Sequence, residues 1–286
     1  MPPRLRTLLV LGRVSNLPTV WSNCIAGWWL AGGGNSSKLP LLLLGVSALY
    51  IGGMYLNDAF DEDWDRLRRA ERPIPSGKIS AKEVWRFGWA WLAAGSVLLI
   101  ILGRPTGALA LVLALCIVIY DATHKLIGAS PWLMGACRFW IYVIAGTTGA
   151  KGLNGWPLWC GAALAVYIAG VSYLARGESL RGKVPFWPLA LLLAPVLLAW
   201  LMNVEEFRRW ALWFSLVPVL WTAFCAWELF LAGVVNLGRV VSGLLAGIVF
   251  VDWLAVAPQI PHAAGIFIFL GLFALTKALQ KFVPAT

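Results

Sequence analysis

Apolar runs long enough to cross a lipid bilayer recur along almost the whole of this sequence, and they limit its possible folds more than any other feature. A helix needs about 20 residues to span about 30 Å of hydrocarbon, because each residue advances it by about 1.5 Å. Of the 286 residues, 60% are hydrophobic and only 13% are charged. Ten runs have a suitable length: residues 16–32, 39–60, 84–103, 105–120, 131–150, 156–175, 186–202, 208–232, 240–257 and 263–280. The sequence therefore predicts an all-α, polytopic membrane helix bundle that forms one domain over residues 1–286.

Most basic residues fall on one side of the predicted membrane. Arginines precede the first run, and a larger basic cluster follows the second run: Arg66, Arg68, Arg69, Arg72, Lys78, Lys82 and Arg86. Because Lys and Arg are enriched in cytoplasmic loops, the N-terminus and the loop after the second run are predicted to be cytoplasmic. This distribution explains the net charge of +10 without a nucleic-acid partner. No protein partner is inferred.

An acidic segment, YLNDAFDEDWD, closes the second run at residues 55–65. Asn57, Asp61 and Asp65 are spaced i, i+4, i+8, so on a helix they share one face, with about 6 Å between steps. Oxygen ligands of this kind suit a hard ion such as Mg²⁺, which keeps several waters and binds beside substrate phosphates. The other interpretation is a solvated helix end whose acids pair with the arginines that follow.

A basic loop bent by Pro and Gly, ERPIPSGKIS, follows at residues 71–80. At this point the sequence resembles the UbiA superfamily of intramembrane prenyltransferases. The first family signature, Asn-Asp-x-x-Asp-x-x-x-Asp, is matched by Asn57, Asp58, Asp61 and Asp65. The family's Arg-Pro-x-Pro-Ser-Gly loop is matched by Arg72, Pro73, Pro75, Ser76 and Gly77. The resemblance extends over most of the chain, including Arg13-x-x-Asn16-x-Pro18 before the first run.

The resemblance implies an enzyme with nine membrane helices, whereas the run count gives ten. It implies Mg²⁺-dependent transfer of a prenyl group from a polyprenyl diphosphate to a small, often aromatic, acceptor within the membrane. Two acidic motifs would hold two Mg²⁺ ions beside the diphosphate, and the allylic C–O bond would ionise. The implied metal ligands are Asn57, Asp58, Asp61 and Asp65. The implied diphosphate contacts are Arg72, Lys78 and the pair Tyr120 and Lys125, and the residues expected to be catalytic are Asp61, Asp65, Lys125 and Arg176.

Two features depart from the family pattern. Tyr120 and Lys125 are separated by one residue more than the pattern has. The second acidic motif, expected at the end of the sixth run, is replaced by VSYLARGES, in which Glu178 is the only acid and Arg176 stands where an acid is expected. Arg176 either contacts phosphate in place of a metal ion, marks a protein that binds a related ligand without ionisation, or anchors a helix at the membrane surface. Asp121 is the only nearby acid that could supply the missing coordination.

Four segments, SNLPTVWSN, YDATHK, LMGACR and SYLARGES, resemble the EboC branch of the superfamily. That branch is associated with small bacterial and algal gene clusters concerned with secondary metabolites, so a bacterial cell membrane is the expected location. The alternative function is a catalytically altered membrane component that binds an isoprenoid diphosphate or assists export of a secondary metabolite. A secondary transporter is a third possibility, against which the lack of recognisable repeated halves counts.

Charged and amide side chains inside the runs complete the predicted site. An ionised group in a span is costly unless it faces a cavity or a partner. Arg138 is predicted to face the diphosphate pocket or a carboxylate, and Asp252 to pair with Arg138 or Arg239 or to be protonated. The expected substrate-binding set is Asn16, Asn23, Arg72, Lys78, Tyr120, Arg138, Tyr173 and Glu178. His124 is predicted to be a solvated loop histidine, the alternative being a proton acceptor or a phosphate contact. His262 is expected in the loop after the ninth run, and Glu228 near an interface.

Overall fold

The computed structural model describes residues 2–179, 186–202, 207–231 and 237–285, and within these ranges the chain is helical, with no strand. The first helices are α1 (Pro3–Leu11), α2 (Leu17–Leu30), α3 (Leu39–Phe60), α4 (Glu62–Arg68), α5 (Ala81–Leu102), α6 (Arg104–Thr123), α7 (Ser130–Gly146) and α8 (Gly155–Ser179). The later helices are α9 (Trp187–Leu191), α10 (Ala194–Leu201), α11 (Phe207–Leu231), α12 (Leu237–Val256), α13 (His262–Gly265) and α14 (Gly271–Gln280). A π-helical segment, Ile266–Leu270, joins α13 to α14.

The helices account for all ten predicted runs, and α3 has the bounds that the sequence predicts. In the described ranges, six helical segments are long and apolar enough to cross a membrane: Ser36–Phe60, Ala81–Leu102, Arg104–Thr123, Gly155–Arg176, Leu237–Val256 and His262–Gln280. Shorter apolar helices accompany them, including α2 with 14 residues and α7 with 17. The chain is an integral membrane protein. The number of crossings, nine or ten, and the orientation of the loops stay predictions.

Several helix boundaries differ from the sequence predictions, among them those of α6, α10 and α13. Helix α6 continues to Thr123, so that Asp121 lies within a helix, because no Pro or Gly interrupts the chain between Gly107 and Gly128. The run at 186–202 forms two helices, since Pro195 starts α10 in its first turn, where the missing N–H costs no hydrogen bond. His262 is the first residue of α13 rather than part of a loop.

Glycines allow the helices around the site to approach closely. A Cβ atom built on Gly52 of α3 would lie 2.9 Å from the carbonyl oxygen of Gly88, and one on Gly95 of α5 would lie 2.7 Å from that of Gly45. The seam between α3 and α5 therefore excludes side chains at both levels, as small residues do in membrane helix pairs. The contact between α7 and α8 is tighter, because a Cβ atom on Gly135 would lie 2.3 Å from the oxygen of Ala165.

Candidate active site

A cavity of about 510 Å³ lies among α3, α6, α7, α8 and α12, beside the turn that precedes α2. Its polar end lies where α3 and α6 finish and is lined by Arg13, Asn57, Asp61, Arg69, Arg72, Tyr120, Asp121, His124, Lys125 and Arg176. Its inner part is mainly apolar and includes Val46, Ile117, Ile141, Ile168, Val171, Val241 and Leu245. The cavity would therefore suit a ligand whose charged group lies at the polar end and whose apolar chain lies in the inner part.

The acids of the first motif are buried. Asp58, Asp61 and Asp65 are 6%, 5% and 2% exposed, so the solvated helix end considered from the sequence is wrong. Arg72 does pair with two of them, at 2.8 Å from Asp58 and 3.4 Å from Asp65. Burial raises the pKa of Asp65 above its ordinary value although Arg72 opposes the change. Arg72 thus offsets part of the cost of burying Asp58 and Asp65.

Asp61 follows the last residue of α3, and two basic side chains from the segment after α6 contact its carboxylate. Lys125 Nζ lies 3.0 Å from its Oδ2 and His124 Nε2 lies 3.2 Å from its Oδ1. Burial alone would raise the pKa of Asp61, but the hydrogen bond and charge of His124 and the charge of Lys125 outweigh burial and lower it. His124 is only 8% exposed, so its predicted solvated position is wrong. The extra residue before Lys125 does not prevent its contact with the acidic motif.

Arg13 belongs to the site, although the sequence did not single it out as a site residue. Its guanidinium donates to Asn57 Oδ1 at 3.1 Å and to Asp58 Oδ1 at 3.2 Å. Its backbone is left-handed, with φ of 41°, which is uncommon outside glycine and often marks a functional position. Burial would lower the pKa of Arg13, but Asp58 and other nearby groups raise it. The signal available in the sequence was the match of Arg13-x-x-Asn16-x-Pro18 to the family pattern, just before the first run and on the side of the acidic motif.

Two buried oxygens at the cavity have no hydrogen-bond partner among the described residues. Asp121 accepts from Asn57 Nδ2 at 3.1 Å through Oδ1, while its Oδ2 has no partner. Asn16 donates through Nδ2 to the carbonyl of Ala285 at 2.9 Å, while its Oδ1 has no partner. Because an unpaired buried polar group is costly, these two atoms are places where a ligand would gain a contact.

Arg176 ties α8 to the segment that carries His124 and Lys125. Its guanidinium donates to the carbonyls of Gly128 at 2.7 Å and Ile127 at 2.9 Å, to that of His124, and to Ser130 Oγ at 2.8 Å. Arg176 also lines the cavity. Its observed contacts therefore hold in place the chain segment whose bases reach Asp61, and a contact with phosphate stays a prediction.

Some predicted site residues are not brought to the cavity. Lys78 is exposed, because it precedes the capped start of α5 and faces solvent, and Tyr173 packs on Trp187 with ring centroids 4.7 Å apart. Neither residue lines the cavity, which corrects the expectation that they bind substrate there. The side chains of Glu178 and Glu228 lie outside the described residues.

A second polar cluster is buried deeper in the bundle. Asp252 of α12 is fully buried and accepts hydrogen bonds from Asn23 Nδ2 at 2.7 Å and from the hydroxyls of Ser22 and Tyr142. Arg138 of α7 donates to Asn23 Oδ1 at 2.8 Å. Asp252 and Arg138 are therefore linked through the Asn23 amide rather than in direct contact. Hydroxyls such as those of Ser22 and Tyr142 give no sequence signal of their own, because a single uncharged Ser or Tyr does not interrupt an apolar run.

Fold and site together define a class, that of polytopic helical membrane proteins with buried acids and bases at one end of an apolar cavity. The sequence profile of the UbiA prenyltransferase family matches residues 18–232, which is most of the chain. The chain belongs to the UbiA prenyltransferase family.

Curated relatives agree with this assignment. The chain is 36% identical to a protoheme IX farnesyltransferase of Methylorubrum extorquens over 265 residues, which cover 85% of the chain and 77% of that protein. It is 35% identical to a digeranylgeranylglyceryl phosphate synthase of Ignicoccus hospitalis over 125 residues, which cover 44% of the chain and 41% of that protein. The match to this synthase thus spans less than half of its length.

Solved structures share the fold. A UbiA homologue of Aeropyrum pernix K1 without ligand superposes with a TM-score of 0.56 at 18% identity, over 94% of this chain and 96% of that one. A UbiA homologue of Archaeoglobus fulgidus bound to DMAPP and Mg²⁺ has a TM-score of 0.51 at 14% identity, over 96% and 99% of the two chains. At this identity the likeness establishes the fold alone.

Proposed function

We propose that this protein transfers a prenyl group from a prenyl diphosphate to a small acceptor within the membrane, in a Mg²⁺-dependent reaction. Members of the UbiA family transfer prenyl groups from prenyl diphosphates. The observation that carries the proposal is the cavity itself, in which buried acids and bases face each other at one end of an apolar chamber. Lipid substrates with a diphosphate head have this division between charge and hydrocarbon.

The oxygen donors at the polar end fit Mg²⁺. Asn57, Asp61 and Asp121 offer amide and carboxylate oxygens, which hard divalent cations prefer. The unpaired Oδ2 of Asp121 is an available donor. In the part of the chain that the structure describes, no group of three His, Cys, Asp or Glu side chains forms a metal site, but Mg²⁺ usually takes one or two carboxylates together with substrate phosphates. When bound, Mg²⁺ would offset the negative charge of the leaving diphosphate.

The bases of the polar end would bind the diphosphate. Arg13 and Arg72 are nearly buried, and their side chains are 18% and 16% exposed. A planar guanidinium binds phosphate through two parallel hydrogen bonds, and Lys125 adds a point charge beside Asp61. As the allylic C–O bond breaks, negative charge grows on the bridging oxygen, and preorganised cations stabilise that charge more than they stabilise the bound substrate.

The inner part of the cavity would hold the prenyl chain and protect the reaction. Ile168 and Val171 of α8 and Val241 and Leu245 of α12 form an apolar wall. A carbocation released from the diphosphate would react with water, so a dry chamber favours capture by the acceptor. A volume of about 510 Å³ lies within the usual range of small-molecule sites, about 300–1,000 Å³.

One observation favours a second function, in which the protein binds an isoprenoid diphosphate without transferring it. The acid expected at the end of the sixth run is replaced by Arg176 of α8, whose guanidinium donates to backbone carbonyls and to a serine hydroxyl. A protein that had lost ionisation chemistry would no longer need that acid. Membership of the EboC branch, with its link to secondary metabolites, stays a prediction.

Release of diphosphate separates the two functions. The purified protein in lipid nanodiscs is given Mg²⁺ and allylic prenyl diphosphates of several lengths, and free diphosphate is measured beside donor binding. Asp61→Asn tests the buried acid, and Asp63→Asn is the matched control, because Asp63 is exposed on α4. Release that is lost in Asp61→Asn and kept in Asp63→Asn supports transfer. Binding without release supports the second function. If the protein neither binds the donor nor releases diphosphate, both functions are refuted.

A further inference from the structure

Two cysteines meet across the seam between α6 and α7. Cys116 lies seven residues before the end of α6 at Thr123, and Cys137 lies seven residues after the start of α7 at Ser130. A short turn joins these antiparallel helices, so both cysteines lie at the same level, about 10 Å from the turn at about 1.5 Å per residue. Their Sγ atoms are 3.7 Å apart. The fold therefore holds two thiols in contact, although no disulfide joins them in the described structure.

The two thiols form a short chain of hydrogen bonds. Cys137 donates its S–H to Cys116 Sγ at 3.7 Å, and Cys116 donates its S–H to the carbonyl of Leu133 at 3.7 Å. A donor directed at Cys116 Sγ favours negative charge on that sulfur, and the thiolate is the nucleophilic form of cysteine. Cys116 is thus the sulfur better prepared to attack an electrophile, and Cys137 is in place to react next.

Access distinguishes this pair from cysteines that only fill space. Cys24 is fully buried, as cysteines that act as small hydrophobic residues usually are. Cys116 and Cys137 are both partly exposed. Cys137 lines the cavity, while Cys116 lies beside Leu115 of the exposed outer face of α6. A small electrophile can therefore approach the pair from the cavity or from the lipid.

We propose that Cys116 and Cys137 are a modification site, at which a hydroperoxide converts the two thiols into a reversible disulfide between α6 and α7. Cys116 Sγ attacks the terminal peroxide oxygen, so that an S–O bond forms and the O–O bond breaks. The thiol proton passes to the leaving oxygen, which departs as an alcohol or as water. Cys137 Sγ then attacks the sulfenic acid at Cys116, the S–S bond forms, and the S–O bond breaks with loss of water. Two electrons pass from the sulfurs to the peroxide.

The disulfide would alter two walls of the cavity. An S–S bond is about 2.05 Å long, so the two sulfur atoms would approach by about 1.6 Å from their separation of 3.7 Å. Cys116 lies one helical turn before Tyr120, and Cys137 directly precedes Arg138, and both of these neighbours line the cavity. Oxidation would therefore draw α6 and α7 together and narrow the space between them. The disulfide itself does not depend on the proposed function, whereas an effect on substrate binding rests on it.

Peptide mapping tests the modification. The full chain in nanodiscs is reduced, freed of reductant and treated with a slight excess of hydrogen peroxide, supplied from water, or of cumene hydroperoxide, supplied through the bilayer. The remaining thiols are alkylated in SDS before digestion and mass spectrometry. With at least one peroxide we expect a peptide that joins Cys116 to Cys137 and that dithiothreitol separates. The peroxide that forms it identifies the side of access, and absence of this cross-link with both peroxides would overturn the proposal.

Single serine variants test the roles of the two sulfurs. In Cys137→Ser the sulfenic acid at Cys116 has no thiol to condense with, so dimedone should label Cys116 at least tenfold more than in the native protein. In Cys116→Ser, labelling of Cys137 should not exceed that of Cys160, a partly exposed cysteine that contacts no other cysteine in the described structure. Helical circular dichroism checks that both variants are folded. Labelling at Cys137 but not at Cys116 would overturn the order of attack.

Binding of a donor analogue tests the effect on the cavity. After removal of peroxide, the oxidised protein should bind geranyl thiolodiphosphate with Mg²⁺ at least threefold more weakly than the reduced protein does. The double variant Cys116→Ser with Cys137→Ser should show no such difference. If the analogue does not bind the reduced protein, the proposed function is wrong, and the mapping still decides whether the disulfide forms. If the disulfide forms and the affinity is unchanged, the effect on the cavity is refuted.

Discussion

Replacement of Asp252 by alanine should be among the most destabilising single changes in the bundle. The carboxylate is fully buried and accepts three hydrogen bonds, from Ser22, Asn23 and Tyr142. Hydrogen bonds between membrane helices average about 0.6 kcal/mol each, so their loss alone would cost about 2 kcal/mol. The change also leaves Arg138 without a balancing charge, and breaking a buried charge pair costs about 3–5 kcal/mol. Because the two contributions overlap, we expect a total of about 4 kcal/mol.

Reversible unfolding by SDS in mixed micelles measures this cost, with the 18 tryptophans as the fluorescence signal. Asp63→Ala is the control, since exposed positions usually change stability by less than about 0.5 kcal/mol. Adding Arg138→Met to Asp252→Ala should recover at least about 2 kcal/mol, because both buried charges are then absent. A cost below about 1 kcal/mol for Asp252→Ala, or costs that simply add in the double variant, would refute the reasoning.

Three further predictions concern the site and its scaffold. Asp121 is expected to be a metal ligand, so electron paramagnetic resonance should count one Mn²⁺ per chain in the presence of the donor analogue geranyl thiolodiphosphate, which resists ionisation. Asp121→Asn should weaken Mn²⁺ binding at least tenfold, and an unchanged affinity for Mn²⁺ would exclude Asp121 as a ligand. Arg13→Gln should weaken binding of the donor analogue at least tenfold in calorimetry, whereas Arg4→Gln, at an exposed ion pair, should leave it unchanged; equal effects would contradict a specific role. Gly135→Leu should lower the free energy of unfolding in SDS by at least about 2 kcal/mol, because its Cβ meets the Ala165 oxygen at 2.3 Å; native-like stability would show that α7 and α8 can separate.

The length of the hydrophobic runs predicted the helices well. A membrane helix must form all its backbone hydrogen bonds internally across the fixed thickness of the bilayer. Run length predicted α3 to the residue. It failed where the chain leaves the lipid, because polar residues end an apolar run without ending a helix. Asp121 is such a case: its charge closed the predicted run at residue 120, although α6 goes on to Thr123.

The acidic motif and Lys125 were predictable as a group because their types and order follow a known signature, and the structure places Lys125 beside Asp61. The basic side chains of His124 and Arg13 were not predicted to contact the acidic motif. His124 reaches Asp61 through the turn after α6, and Arg13 reaches Asp58 from a left-handed turn. Contacts made by turns depend on backbone directions that hydrophobic patterning does not specify.

The replacement of an acid by Arg176 bears on the number of metal ions that the proposed reaction needs. An aspartate at this place would carry one negative charge where Arg176 carries one positive charge. The difference, about two charges, equals the charge of one Mg²⁺. Arg176 lines the polar end of the cavity while its guanidinium donates to backbone carbonyls and Ser130. It therefore adds positive potential to the polar end without a change in its side-chain conformation. A diphosphate bound with one Mg²⁺ beside Asp61 and Asp121 would then meet nearly the same total charge as in a site with two acidic motifs and two ions. On this argument the proposed reaction would need one metal ion instead of two, and the stabilisation of the leaving diphosphate would be kept.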